Sequence, residues 1–145
     1  MRRLRKYAAL TPAGRALVLY SLVLLPAAAL SLRACGMART KALLERLGRA
    51  GSGDARALEP REIARLVDAA ATLLRARCLP RSLVLWHFVR DHGAPAEIRL
   101  GVSRLADGGL SAHAWLEYDG LPLNDHADVL QRYAALPSRA KQTAC

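Results

Sequence analysis

Hydrophobic positions recur along this chain with two different periods, and the period changes near Gly93. Before Gly93 the clearest segments repeat every three to four residues, as on one face of a helix. After Gly93 apolar residues alternate with polar ones, as on a half-buried strand. Helices are therefore predicted first and an antiparallel sheet second, which is the α+β class rather than the α/β class.

The first predicted helix has Thr11 as its N-cap and Pro12 in its first turn, and residues 16–32 within it are strongly apolar. A basic start followed by such a run also outlines a secretory signal or a membrane anchor. Pro26 interrupts the run, which is shorter than the ~20 residues that a membrane span needs. We therefore favour a helix that packs on the core. The basic start that precedes this helix consists of Arg2, Arg3, Arg5 and Lys6.

Two more helices, separated by a linker, are predicted between the first helix and the last one. Residues 38–47 are predicted to form a short helix, and the glycine-rich residues 48–54 are predicted to form a linker. Glu59 and Pro60 then open an amphipathic helix whose apolar residues are Ile63, Leu66, Val67, Ala70 and Leu74. This organisation predicts a helical segment with linker at 1–55, a core at 56–135 and a fraying tail at 136–145.

The last helix is expected to be the central one, starting near Cys78 and ending at Gly93. Pro80 is tolerated only in a first turn, and glycine suits the left-handed residue that ends a helix. Cys78 would then lie at the positive end of a helix among arginines 75, 77 and 81, which favours the nucleophilic thiolate. The residues inside the helix are apolar nearly all round: Leu83, Val84, Leu85, Trp86, Phe88 and Val89.

Three strands are predicted at 96–103, 110–118 and 121–125, the last two joined by a turn at Asp119 and Gly120. His113 lies on the second strand between two alanines. A strict two-residue turn would point Asp125 away from His113. We therefore predict a three-residue loop, a bulge, or a strand that ends before Asp125.

The formal net charge is +10, which suggests an anionic partner. The arginines are scattered and aromatic residues are few, so no nucleic acid is expected. The three cysteines, Cys35, Cys78 and Cys145, form no C-x-x-C pair, and Cys145 is too close to the end for prenylation. We expect a reduced, cytoplasmic protein with no metal and no nucleotide cofactor.

Cys78, His113 and Asp125 have the residue types and the order of a Cys-His-Asp triad. The imidazole would take the thiol proton, and the carboxylate would fix its tautomer. From spacing alone, a buried cysteine, a core histidine and a turn aspartate remain alternatives. The other histidines, His87, His92 and His126, are interpreted as helix-surface or loop residues, with His126 the main competitor as base.

Four blocks of sequence resemble one known family. They are Cys-Leu-Pro-Arg-Ser-Leu-Val-Leu-Trp at 78–86, His-Gly-Ala-Pro-Ala-Glu-Ile-Arg-Leu-Gly-Val at 92–102, Ala-His-Ala-Trp-Leu-Glu at 112–117, and Asn-Asp at 124–125. The chain is similar to the lasso peptide biosynthesis leader peptidases, B-type proteins of the transglutaminase-like, papain-related superfamily. Residues 10–17 resemble the opening of the stand-alone form.

The resemblance implies that Cys78, His113 and Asp125 are the catalytic triad of a cytoplasmic cysteine protease. Its substrate would be the leader region of a lasso precursor peptide, delivered by a small leader-recognition protein. An ATP-dependent lasso cyclase would then use the freed core peptide. The alternatives are a non-catalytic peptide-binding or scaffold module of the same fold, and a peptidase tethered to a membrane by residues 16–32.

Overall fold

The computed structural model describes residues 10–47 and 55–137. The basic residues at 2–6, the predicted linker at 48–54 and the tail from residue 138, which includes Cys145, lie outside that description. In chain order the elements are α1 (Pro12–Arg46), α2 (Pro60–Leu73), α3 (Cys78–Val89), β1 (Ala96–Arg104), β2 (Leu110–Tyr118), β3 (Leu121–Pro122), α4 (Val129–Arg132) and β4 (Ala134–Ala135). The predicted α+β class is confirmed.

Helix α1 begins as predicted, because the Thr11 hydroxyl accepts a hydrogen bond from the Gly14 N–H at 3.1 Å. It runs through Pro26 and breaks instead at Gly36, where φ is 77° and ψ is 178°. Glycine alone adopts that backbone conformation readily. The two predicted helices are therefore the two arms of one kinked helix. The Thr40 hydroxyl stabilises the kink by donating to the Gly36 carbonyl at 2.8 Å.

One face of α1 packs against α2 and α3. The residues that it buries are Gly14, Leu17, Ser21, Leu25 and Ala28 in the first arm, with Thr40 and Leu44 in the second. Among the described residues, α1 is the one helix long and apolar enough to cross a membrane, and 22% of its most apolar window is buried. A core helix or a signal sequence meets the same criterion.

Helix α3 is the central helix, as predicted. Every residue from Ser82 to Val89 is buried, and α3 packs against α1, α2 and the first two strands. The interpretation of His87 as a helix-surface residue is wrong, because its side chain is 1% exposed. Its Nδ1 lies 3.1 Å from the Leu44 carbonyl of α1, a partner that the local sequence does not reveal.

The four strands form one antiparallel sheet in the order β3-β2-β1-β4. Asp119 and Gly120 both have positive φ, 52° and 75°, and they make the predicted turn, which has two residues. Tyr118 pairs with Leu121, but β3 ends at Pro122, so the predicted strand to Asp125 was too long. Helix α4 and strand β4 were not predicted, because four and two residues are too few to show a period.

Candidate active site

A hydrogen bond joins Nε2 of His113 to Oδ2 of Asp125. His113 lies in the middle of β2, and Asp125 comes three residues after the end of β3. Side chains alternate between the two faces of a strand, but β3 ends before Asp125. The side chain of Asp125 therefore does not follow that alternation and can face the imidazole. Of the three geometries predicted for this segment, the strand that ends before Asp125 is the correct one.

Asn124 holds the segment that carries Asp125. Its Oδ1 accepts from the backbone N–H of Leu116 at 2.7 Å, and its Nδ2 donates to the Ser82 hydroxyl at 3.1 Å. Its backbone carbonyl accepts from Nη2 of Arg81 at 2.7 Å. One asparagine therefore ties the Asp125 segment to the neighbouring strand and to the first turns of α3.

The surroundings of Asp125 favour its ionised form. Partial burial raises the pKa of the carboxyl, but four interactions together lower it below its ordinary value of 3.8. These are the hydrogen bond from His113, the hydrogen bond from the His126 backbone N–H at 2.7 Å, and the charges of His113 and Arg132. Arg132 of α4 places Nη2 3.4 Å from Oδ1. The carboxylate can therefore accept a hydrogen bond from a protonated Nε2, which leaves Nδ1 of His113 as the basic nitrogen.

Two aromatic rings flank the imidazole of His113. Tyr133 lies with its ring centroid 5.0 Å away, and Trp115 with its centroid 6.2 Å away and nearly parallel. Gly101 of β1, which pairs with His113, makes room for both rings. A Cβ at Gly101 would lie 2.8 Å from Trp115 Cζ3 and 2.9 Å from Tyr133 Cβ. The orientation of His113 thus depends on a glycine across the sheet.

Cys78 is the first residue of α3, and its side chain is half-buried. One turn further along, Ser82 donates from its hydroxyl to the Ala114 carbonyl at 3.2 Å, so the start of α3 is attached to β2 directly beside His113. Residues four apart lie on the same side of a helix. Among the described residues, no hydrogen bond links the Cys78 thiol to His113. The structure thus joins His113 to Asp125 and places the cysteine at the adjoining helix start.

Neither His92 nor His126 bonds the Asp125 carboxylate through its imidazole ring. His92 points Nε2 to the Ala55 carbonyl at 3.2 Å, and the exposed His126 contacts Asp125 through its backbone N–H. His126, the predicted competitor for the base, therefore does not take the position that His113 occupies. Within residues 10–47 and 55–137, no group of three His, Cys, Asp or Glu side chains converges on a possible metal site.

Sequence reasoning missed the supporting residues of this site. Ser82 and Tyr133 gave no signal, since their partners lie on other elements. Gly101 gave a weak one, because a glycine inside a strand often marks a close approach. Asn124 could have been recognised as a residue type that bonds backbone groups where a strand ends.

The chain matches the family model of the transglutaminase-like superfamily over residues 21–138. That superfamily generally includes cysteine peptidases and transglutaminases. No curated protein and no solved structure matches the chain.

Proposed function

Because the chain belongs to the transglutaminase-like superfamily, we propose that it is a cysteine peptidase that removes the leader from a ribosomally made lasso peptide precursor. The observation that carries the proposal is the hydrogen bond between His113 and Asp125, beside the helix that starts at Cys78. A nucleophile at a helix start, a base on a strand and a carboxylate that orients the base are the parts that acyl transfer needs.

In the proposed reaction, Nδ1 of His113 takes the proton of the Cys78 thiol, and Sγ attacks the carbonyl carbon of the scissile peptide bond. The tetrahedral intermediate collapses when His113 returns the proton to the leaving amine, which frees the core peptide. The leader stays on Sγ as a thioester. Water, deprotonated by His113, then attacks the thioester and releases the leader as a carboxylic acid with the thiol restored.

Asp125 and the start of α3 stabilise charge during these steps. The carboxylate of Asp125 accepts from Nε2–H, so it fixes the tautomer and stabilises the imidazolium that forms. The backbone N–H of Cys78 belongs to the first turn of α3, where amide groups lack partners within the helix. It can therefore donate to the oxyanion.

The assignment of substrate rests on the blocks of sequence around 78–86, 92–102 and 112–117. They resemble the leader peptidases of lasso peptide biosynthesis, which act on a cytoplasmic precursor, and residues 10–17 resemble the opening of the stand-alone form. A separate leader-recognition protein would present the precursor, and an ATP-dependent cyclase would consume the core with its new N-terminus. The net charge of +10 would favour an acidic leader or an acidic recognition protein.

The first test replaces Cys78 by Ala in the full chain and measures precursor cleavage by mass spectrometry with the recognition protein present. Cleavage should fall to background, which is a loss of about 10⁴-fold or more for removal of a nucleophile. Cys35→Ala is the matched control, because Cys35 is also a half-buried free cysteine but lies in α1. Its rate should stay within about twofold of wild type.

Undiminished cleavage by Cys78→Ala would refute the proposed nucleophile. A non-catalytic module would bind the precursor with or without Cys78 and would show no cleavage in either form. The leader assignment is tested separately by omitting the recognition protein. Equal cleavage rates with and without it would contradict a split recognition system while leaving the peptidase chemistry intact.

A further inference from the structure

The first arm of α1 carries a face of exposed apolar side chains. We call this face the outer stripe. Its large residues are well exposed, with Leu19 at 56%, Val23 at 67% and Leu30 at 69%. Exposed apolar patches of this extent are uncommon on soluble monomers and mark interaction surfaces. The outer stripe consists of Leu19, Tyr20, Val23, Pro26, Ala27 and Leu30.

The opposite face of the same arm is fixed to the protein core. Leu17 and Ser21 are fully buried, Leu25 is 1% exposed and Ala28 is 3% exposed. A helix that keeps these contacts cannot be surrounded by lipid on every side. The arm can meet an apolar phase only along the outer stripe, with its axis parallel to the surface that it contacts.

The charges around the outer stripe indicate which kind of apolar phase it contacts. No charged residue occurs between Arg15 and Arg33, and both arginines are exposed at the two ends of the stripe. The 17 residues between them separate the two arginines by about 27 Å along the helix axis. Four basic residues among positions 2–6 precede the helix in sequence. An uncharged apolar helix face that follows a basic cluster in sequence is typical of segments that bind anionic lipid headgroups.

We propose that the outer stripe of α1 docks this protein on the surface of a bilayer that contains anionic lipids. The apolar side chains insert into the boundary between headgroups and acyl chains, and the flanking arginines contact the headgroup phosphates. The buried face of α1 stays on α2 and α3. This attachment is peripheral, and it does not depend on the proposed peptidase activity.

The test is flotation of the purified full chain with vesicles of phosphatidylcholine containing about 30% phosphatidylglycerol, compared with pure phosphatidylcholine. Wild type should float with the anionic vesicles, and the floated fraction should fall at least about fivefold on neutral vesicles. A triple variant, Leu19→Gln, Val23→Gln and Leu30→Gln, should lose binding by a similar factor. It keeps the net charge, so the loss reports the apolar contact.

The matched control is a triple variant at exposed leucines elsewhere, Leu73→Gln, Leu110→Gln and Leu121→Gln. These positions are 61%, 71% and 65% exposed, and this variant should float like wild type. A single Val23→Trp variant provides a second measurement that does not depend on removing the stripe. Its fluorescence should shift to shorter wavelength with anionic vesicles, whereas Leu110→Trp should show no shift.

Three outcomes would overturn the proposal. In one, wild type does not float and Val23→Trp shows no shift. In another, light scattering finds a dimer that the stripe variant dissociates, with no vesicle binding, which would assign the outer stripe to a second copy of the chain. In the last, bound protein resists extraction at high pH, which would mean that the helix spans the bilayer.

Discussion

His113 is held by contacts on several sides, and each contact comes from a different element. Asp125 fixes the Nε2 edge, the rings of Tyr133 and Trp115 flank the imidazole, and Gly101 leaves space for both rings. An imidazole confined in this way can offer Nδ1 in one direction. The precision of the site therefore depends on residues that take no part in the chemistry.

Asp125→Asn tests the orienting carboxylate. The amide cannot stabilise an imidazolium and can favour the wrong tautomer, so the cleavage rate should fall by roughly 10²- to 10⁴-fold. The charge-assisted hydrogen bond is lost as well, which should lower the free energy of unfolding by roughly 1–3 kcal/mol at neutral pH. Precursor cleavage and urea unfolding measure the two effects. A variant with wild-type cleavage would show that Asp125 does not orient the base.

The pH dependence of stability provides an independent check on the same carboxylate. The pKa of Asp125 is lowered in the folded state, so its stabilisation is fully present above the ordinary value of 3.8. It is lost as the pH falls through the lower folded-state pKa. The difference in unfolding free energy between wild type and Asp125→Asn should therefore shrink as the pH falls below 3.8. A difference that does not shrink in that range would contradict the lowered pKa.

Gly101→Ala tests the support behind the imidazole. The new Cβ would lie within 3 Å of the Trp115 ring and of Tyr133 Cβ, and the latter cannot move without its backbone. We expect a loss of roughly 1–3 kcal/mol in unfolding free energy and a reduced cleavage rate. Gly109→Ala, in the exposed turn between β1 and β2, is the control and should leave both close to wild type. Equal effects at the two glycines would show that Gly101 has no special role.

At the scale of elements, the attachment of α3 to the sheet determines where its first residue lies. Ser82 is fully buried and bonds both the Ala114 carbonyl and the Asn124 amide, so a single hydroxyl connects the helix, β2 and the segment that carries Asp125. The apolar residues further along α3 supply most of the burial. The contacts of Ser82, rather than these apolar residues, join the start of α3 to the strand that carries His113.

Ser82→Ala should therefore impair catalysis more than its cost in stability explains. It leaves a carbonyl and an amide group without their partner, which costs roughly 1–3 kcal/mol. Ser21→Ala is the control, because Ser21 is equally buried but its hydroxyl bonds the Leu17 carbonyl of its own helix. We expect Ser21→Ala to lower the free energy of unfolding by less than Ser82→Ala does and to keep the wild-type cleavage rate. Urea unfolding and precursor cleavage measure both variants, and parallel losses in the two would contradict a positioning role for Ser82.

At the scale of the whole molecule, the sequence predicted the elements that have a clear period or a strong boundary residue. The N-cap at Thr11, the central helix from Cys78 and the turn at Asp119 were all correct. These features depend on local chemistry: a capping hydroxyl, a proline in a first turn and an Asp-Gly pair. Local chemistry is what a single sequence displays directly.

Most of the errors concern contacts between distant parts of the chain. His87 has the polarity of a surface residue, but its partner is the Leu44 carbonyl of another helix. The strand ending at Pro122 is shortened because Asn124 bonds α3 and β2. Tyr133 reaches His113 through a helix and a strand too short to predict. The candidate triad residues could be named from sequence, but the residues that support them could not.

The two aromatic rings beside His113 should also give its imidazole protons distinctive chemical shifts. The imidazole centroid lies 5.0 Å from the Tyr133 ring centroid and 6.2 Å from that of Trp115, so ring currents should move the resonances of its carbon-bound protons away from their ordinary positions. Among the histidines, His92 and His126 lack such a pair of neighbours in the described structure, so their resonances should stay near ordinary positions. A proton NMR spectrum can therefore follow the protonation of His113 separately during a titration, without isotope placement or a bound probe.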